Sequence, residues 1–136
     1  MSFKPKNLAE WKLRSFPTKA STLITNQSVV VQSTSDSGQL ISGTTTTDLI
    51  AGLAQKTKAA SDATTDSIPV LVPTAFMATV LATVSSGTAT PGETCDLASD
   101  LGIAADATTE DVFTVTRSLS STLCEGYFNN PAPTRA

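Results

Sequence analysis

The sequence of 136 residues contains no histidine. A His-based catalytic triad is therefore excluded, as is nearly every histidine-containing metal site. Two cysteines, Cys95 and Cys124, are too few for a cysteine-only zinc centre. Carboxylates are the next candidates for chemistry. Asp96 with Asp100, and Glu110 with Asp111, are spaced as paired acids. They lie in polar stretches without aromatic lining, so a solvated acidic loop is the preferred reading. The run DLASDLG places Asp96, Asp100 and Gly102 as a loose image of a calcium loop, but lacks the dense oxygen set such a loop needs. Neither a P-loop nor a GxGxxG run occurs, and no motif supports Ser–Lys catalysis. The expectation is a protein that is not an enzyme and uses no cofactor and no metal.

Cys95 and Cys124 stand 29 positions apart. A disulfide is possible if their strands are neighbours. No apolar leader core argues for an oxidising compartment, so two buried free thiols, acting as small apolar side chains, are preferred. Arg117 reads as a binding residue or, more simply, as a solvated side chain or the partner of a nearby acid.

Charge is unevenly placed. The first nineteen residues carry Lys4, Lys6, Lys12, Arg14 and Lys19 against Glu10 alone, whereas the remainder carries four cations against eleven acids. The same segment holds Phe3, Trp11 and Phe16, and Trp11 is the one tryptophan of the chain. Asn7 is placed to cap a short helical turn from Leu8 to Arg14, with Glu10 as its capping-box partner and Pro17 as its stop. Aromatic and cationic residues are the anchor types of interfaces. The preferred reading is an extended basic and aromatic arm over residues 1–20 that docks on another surface through Phe3, Lys4, Lys6, Trp11, Lys12, Arg14, Phe16 and Lys19. The competing reading is that these residues pack on the protein's own body. Pro5, Glu10 and Pro17 interrupt a presequence helix, and five cations are a thin footprint for nucleic acid.

The body, residues 21–130, reads as all-β. Serine and threonine together number 39. Threonine suits a half-buried pleated surface, and both residues satisfy backbone groups in turns. A glycosylated stalk would also be Ser/Thr-rich, but regular apolar runs argue against it. Hydrophobic residues make up 40% and charged residues 15% of the chain, too apolar a balance for disorder. The longest apolar stretch is about ten residues, too short to span a bilayer. Val29–Val31 centre one strand, 33–38 is a turn cluster, and two short apolar pieces flank a threonine run over 40–53, bent at Gly43 and Gly52. Gln55–Ser67 is a loop. IPVLVP over 68–73 is a strand fenced by prolines, hence at an edge or entered at its end. Over 75–84, Phe76, Ala78, Val80, Ala82 and Val84 alternate against Met77, Thr79, Leu81 and Thr83. A turn-rich loop over 85–94 leads to a short strand at Cys95–Leu97, and 98–111 is a polar, acidic loop. Strands follow over 111–118 and 122–128, and 131–136 is a tail. Six to eight short strands make a compact sandwich or barrel. No repeat of fixed period is visible.

The order IPVLVP, FMA, a loop, PGETCDL and FTVTRSLSSTLCEGYF resembles small structural proteins of tailed bacteriophages, and more narrowly capsid decoration (cement) proteins. That resemblance implies a jelly-roll-like or β-tulip-like domain on the outer face of the virion capsid. It implies the major capsid protein as partner, self-association as a dimer or trimer, and no role for nucleic acid or membrane. The alternatives are a receptor- or glycan-binding β-sandwich of a virion, a head–tail or tail subunit, and, ranked last, a small enzyme using a serine or acidic site.

Overall fold

The computed structural model describes residues 2–33, 38–44, 50–75 and 77–129. The turn predicted over 33–38, the threonine run, Phe76 and the C-terminal tail lie wholly or mainly outside these residues. The chain is all-β. Its strands are β1 (Phe3–Pro5), β2 (Trp11–Pro17), β3 (Val29–Gln32), β4 (Leu40–Ser42), β5 (Gly52–Ala54), β6 (Ser67–Pro73), β7 (Val80–Ser86), β8 (Thr94–Ser99), β9 (Gly102–Ala104), β10 (Phe113–Ser120) and β11 (Leu123–Phe128), with one 3₁₀ turn at Leu8–Glu10.

Two sheets pack together as a compact β-sandwich. The first runs β2-β6-β5-β3-β4, the second β1-β7-β11-β10-β8-β9. In the second sheet β9 returns to pair in parallel with β7. In the first, Thr18, just past β2, makes a parallel bridge to Leu40 at the start of β4, and the Lys19 N–H donates to the Leu40 carbonyl. Each sheet therefore contains a ring of five strands. The rings share one strand order and one set of pairing senses: β2, β3, β4, β5 and β6 play the parts of β7, β8, β9, β10 and β11. The sequence shows no repeat because the corresponding strands differ in residues and the loops differ in length between the two units. β1 alone has no counterpart.

Two cores follow from this arrangement. Phe16, Ile24, Val30, Leu40, Ala54, Ile68, Val70 and Val72 fill the first ring. The larger core is built on β7–β11 and also takes Trp11, Val29 and Leu53 from the other sheet. The first sheet is thus buried on both faces, which is why Val29 and Val30, and all of β5, are buried without alternation. An aromatic triad anchors the larger core. Phe3 lies 5.5 Å from Phe128 and 6.5 Å from Phe113, and Phe113 lies 5.5 Å from Phe128, between ring centroids. Gly126 leaves room for it, since a Cβ there would sit 2.5 Å from the Phe113 ring and press on the Thr114 carbonyl.

The N-terminal segment is extended, but it is part of the body and not an arm. β1 pairs with β7 from Phe3↔Ala82 to Pro5↔Val80, and β2 pairs with β6 along its whole length, from Trp11↔Pro73 to Pro17↔Ser67. The helical turn predicted to reach Arg14 ends at Glu10. The Asn7 side chain accepts from the Ala9 N–H as an N-cap should. The Glu10 carboxylate, however, accepts from the Thr79 N–H at 3.2 Å, and the chain turns to strand at Trp11.

Three other differences have clear causes. β6 lies between β2 and β5 and is not an edge strand. The Thr74 N–H donates to the Glu10 carbonyl, which continues the β2–β6 register and assigns the even-numbered residues of β6 to the β2 ladder. Pro69 and Pro73 turn their missing N–H away from it. On the β5 side Pro69 needs only its carbonyl, which accepts from the Gln55 N–H. The strand predicted to begin at Ala75 begins at Val80, because Met77 takes a left-handed φ of 65° and the Ala78 N–H closes a turn onto Ala75. The acidic loop over 98–111 contains β9, three buried residues too short to show a pattern.

Phe3→Ala and Trp11→Ala should each lower stability by about 3–5 kcal/mol, the usual cost of emptying a large aromatic site. Gly126→Ala should be severe because backbone must move. Urea midpoints followed by Trp11 emission, or by far-ultraviolet dichroism for Trp11→Ala, measure all three.

Candidate functional site

The eight residues expected to dock divide into two groups. Phe3, Trp11 and Phe16 are core residues, fully or almost fully buried, and are not available as anchors. They face different interiors: Phe3 and Trp11 the larger core, Phe16 the first ring. The cations stay at the surface. Lys4, Lys6 and Lys12 are exposed, and Arg14 and Lys19 are half-buried. On β2, Lys12 and Arg14 flank Leu13, which is 59% exposed. Leu8, in the preceding 3₁₀ turn, is also exposed. The surface of this segment is therefore cationic and aliphatic, not aromatic.

Lys6 is committed to the body. Its ammonium lies 2.6 Å from a carboxylate oxygen of Glu125, which is buried on β11, and Arg117 approaches the other oxygen at 3.7 Å. Arg117 is thus the partner of a nearby acid. A buried carboxylate without a cation would be strongly destabilising, so Lys6 ties the N-terminal segment to the second ring.

The proposed acidic pairs do not assemble. Asp96 is buried and accepts from the Thr109, Glu110 and Asp111 N–H groups at 2.7–3.1 Å. It is a cap that fixes the loop before β10. The Thr94 hydroxyl donates to Asp111 at 2.8 Å. Asp100 is held above the ordinary carboxylate range by partial burial, opposed by hydrogen bonds from its own backbone and from Ser42. No group of three or more metal-ligating side chains occurs among the described residues.

One charged residue escaped the sequence reading. Lys58, in the polar loop after β5, is buried. Its ammonium donates to the carbonyls of Lys19 and Asp62 at 3.0 and 3.3 Å, and its backbone exchanges both hydrogen bonds with Ile24. No spacing in the sequence marks it.

Cys95 and Cys124 are free, buried thiols in the larger core. Burial pushes Cys95 up to about 12, with Cys124 and nearby carboxylates adding to the effect, and pushes Cys124 up to about 11, helped by Glu125. In the unfolded chain both ionise near the ordinary value of 9.0. Above that pH the folded state holds more protons than the unfolded state, so stability falls as pH rises. Urea midpoints should be insensitive to these thiols below about pH 8 and should decline above pH 9. A Cys95→Ala/Cys124→Ala chain should lose that part of the decline. A thiol reagent should label neither cysteine in the native chain at pH 8 and both after unfolding without reductant.

Comparison with known proteins adds no relative: no family model matches the sequence, no curated protein is detectably similar to it, and no solved structure matches its fold.

Proposed function

We propose that this chain is a structural virion protein that binds the outer surface of a phage capsid and cements neighbouring major capsid proteins. The observation that carries the reading is the composition of its N-terminal surface. Lys12 and Arg14 project from one face of β2 and exposed Leu13 from the other, with exposed Leu8 in the preceding turn, on a body whose remaining charge is acidic. Such a surface suits an acidic protein face with apolar seams. The order of motifs that resembles decoration proteins points the same way. Binding to the assembled shell alone stabilises it by mass action, and many weak sites on one particle add up. Self-association as a dimer or trimer belongs to the same proposal.

A glycan-binding role has less support. Among the described residues every aromatic is buried except Tyr127, which is half-buried, so no stacking platform is offered to a sugar.

The test is co-sedimentation with expanded empty capsids of the encoding phage, using the full chain. Removing residues 1–19 would delete two strands and is not informative. Saturable binding that weakens between low and high salt, and at least about tenfold in Lys12→Glu/Arg14→Glu, is expected. Absence of binding by the folded wild-type chain would overturn the capsid reading.

A further inference from the structure

We infer that the outer edge of β2 is a strand-acceptor site that takes an extended segment of a partner protein with acidic residues alternating around an apolar one. This deepens the docking proposal by naming how the partner is held.

The first observation is an unpaired edge. The register with β6 assigns the even-numbered residues of β2 to that ladder. The N–H and C=O groups of Leu13 and Ser15 therefore point the other way. Among the described residues nothing hydrogen-bonds to them, and both side chains are exposed. Only beyond the end of β2, at Thr18, does β4 close the ring.

The second observation is that the same edge is occupied in the other unit. Val84, the position of β7 paired with Ile103 of β9, corresponds to Thr18, the position bridged to Leu40 of β4. That correspondence sets Arg14–Phe16 against Val80–Ala82, the residues of β7 on which β1 lies, so the β1 site on β7 overlaps the C-terminal half of the free edge of β2. β1 binds there by main-chain bonds: the Lys6 N–H donates to the Thr79 carbonyl at 3.0 Å, and the Thr83 N–H donates to the Ser2 carbonyl at 3.2 Å. The equivalent positions on β2 are the Leu13 carbonyl, which is free to accept, and Pro17, which has no N–H, so an incoming strand bonds to the outward groups of Leu13 and Ser15. The fold thus contains an example of a strand held at the corresponding edge, although Pro17 removes one of its donor positions on β2. An incoming antiparallel strand would lie on β2 as β1 lies on β7, which is strand addition to a sheet edge.

Charge selects the occupant. A second copy pairing β2 with β2 about Leu13 would set Lys12 opposite Arg14 of the other copy, and like charges directly opposed are destabilising. A strand with carboxylates at i and i+2 faces Lys12 and Arg14 instead, while its residue i+1 covers Leu13 on the other face.

A capped heptapeptide alternating glutamate with valine is the probe, titrated into the full chain with Trp11 emission as the readout. Saturable binding is expected. A lysine–valine peptide should bind at least about tenfold more weakly. Methylating the peptide's edge-facing amide nitrogens should abolish binding while leaving its charge intact. Leu13→Pro, which removes an outward N–H and no β6 bond, should do the same. No binding by the glutamate peptide, or equal binding by its N-methylated form, overturns the inference. The N-methyl comparison decides the matter even if Leu13→Pro fails to fold. Capsid co-sedimentation of the wild-type chain reports separately on the docking proposal. A chain that binds capsids but shows no N-methyl-sensitive peptide binding keeps that proposal and loses this one, and the converse result does the opposite.

Discussion

A sheet that stops must do something with its last row of N–H and C=O groups, and in this chain that constraint organises most of the rest. Each five-stranded unit answers it by bringing its third strand back beside its first: β9 along β7, and β4 to the end of β2. Parallel pairing of this kind needs a crossover, not a hairpin. The loops that carry it are rich in polar residues, and Ile24 and Ala89 reach inward from them to the two cores. Closing both rings leaves a face of the first sheet apolar, and Trp11, Val29 and Leu53 bury it against the core of the second unit. Ring closure and packing between the sheets are thus one problem, solved by the same strands.

The buried charges serve the parts that hydrophobic packing cannot hold. The loop before β10 is built from small and acidic residues and has little apolar surface to bury; Asp96 holds it by collecting three backbone N–H groups. The loop after β5 is equally polar, and Lys58 holds it by donating to carbonyls of two different segments. Glu125 joins the N-terminal segment to β11 through Lys6. In each case the group's own desolvation is offset only by the partners it holds, so the loop has one satisfied arrangement and any opening exposes an uncompensated group. Two buried polar atoms, Trp11 Nε1 and Ser28 Oγ, lack a partner among the described residues.

The body was legible because its strands obey period two where one face is wet, as in Val80, Ala82 and Val84 against Leu81, and because turns fall where glycine and proline cluster. The N-terminal segment was misread for a physical reason. Trp11 and Phe16 are five positions apart on one strand, so they face opposite sides, each reaching a different core while cations fill the positions between. That pattern, in a segment taken to stand alone, is the pattern of a docking arm. Only the presence of two cores distinguishes the cases, and no local window contains that information. β9 is a Gly-Ile-Ala triplet whose role depends on being beside β7, and Lys58 is a lysine in a polar loop until Lys19 and Asp62 are placed around it. The likeness of the two units was invisible for the same reason: it resides in pairing, not in residue identity.

The asymmetry between the units bears on function. β1 covers the upper edge of β7, and it is joined to β2 through residues 6–10, a short link that contains the 3₁₀ turn. The strand that covers one edge therefore leads directly into the strand whose own edge is bare, and it cannot cover both. Natural sheets guard such an edge with charge, and Lys12 and Arg14 do so here. A guard made only of cations, however, repels the β2 edge of another copy, so protection from edge-to-edge pairing and, in the proposed complex, selectivity for an acidic strand would arise from the same two side chains. Main-chain bonds supply affinity without regard to sequence, each adding about 0.5–1.5 kcal/mol. Discrimination then rests on the opposed charges and on Leu13. A site of that strength is weak alone, which fits a protein acting in many copies on a repeating surface better than one that must hold a single partner in solution.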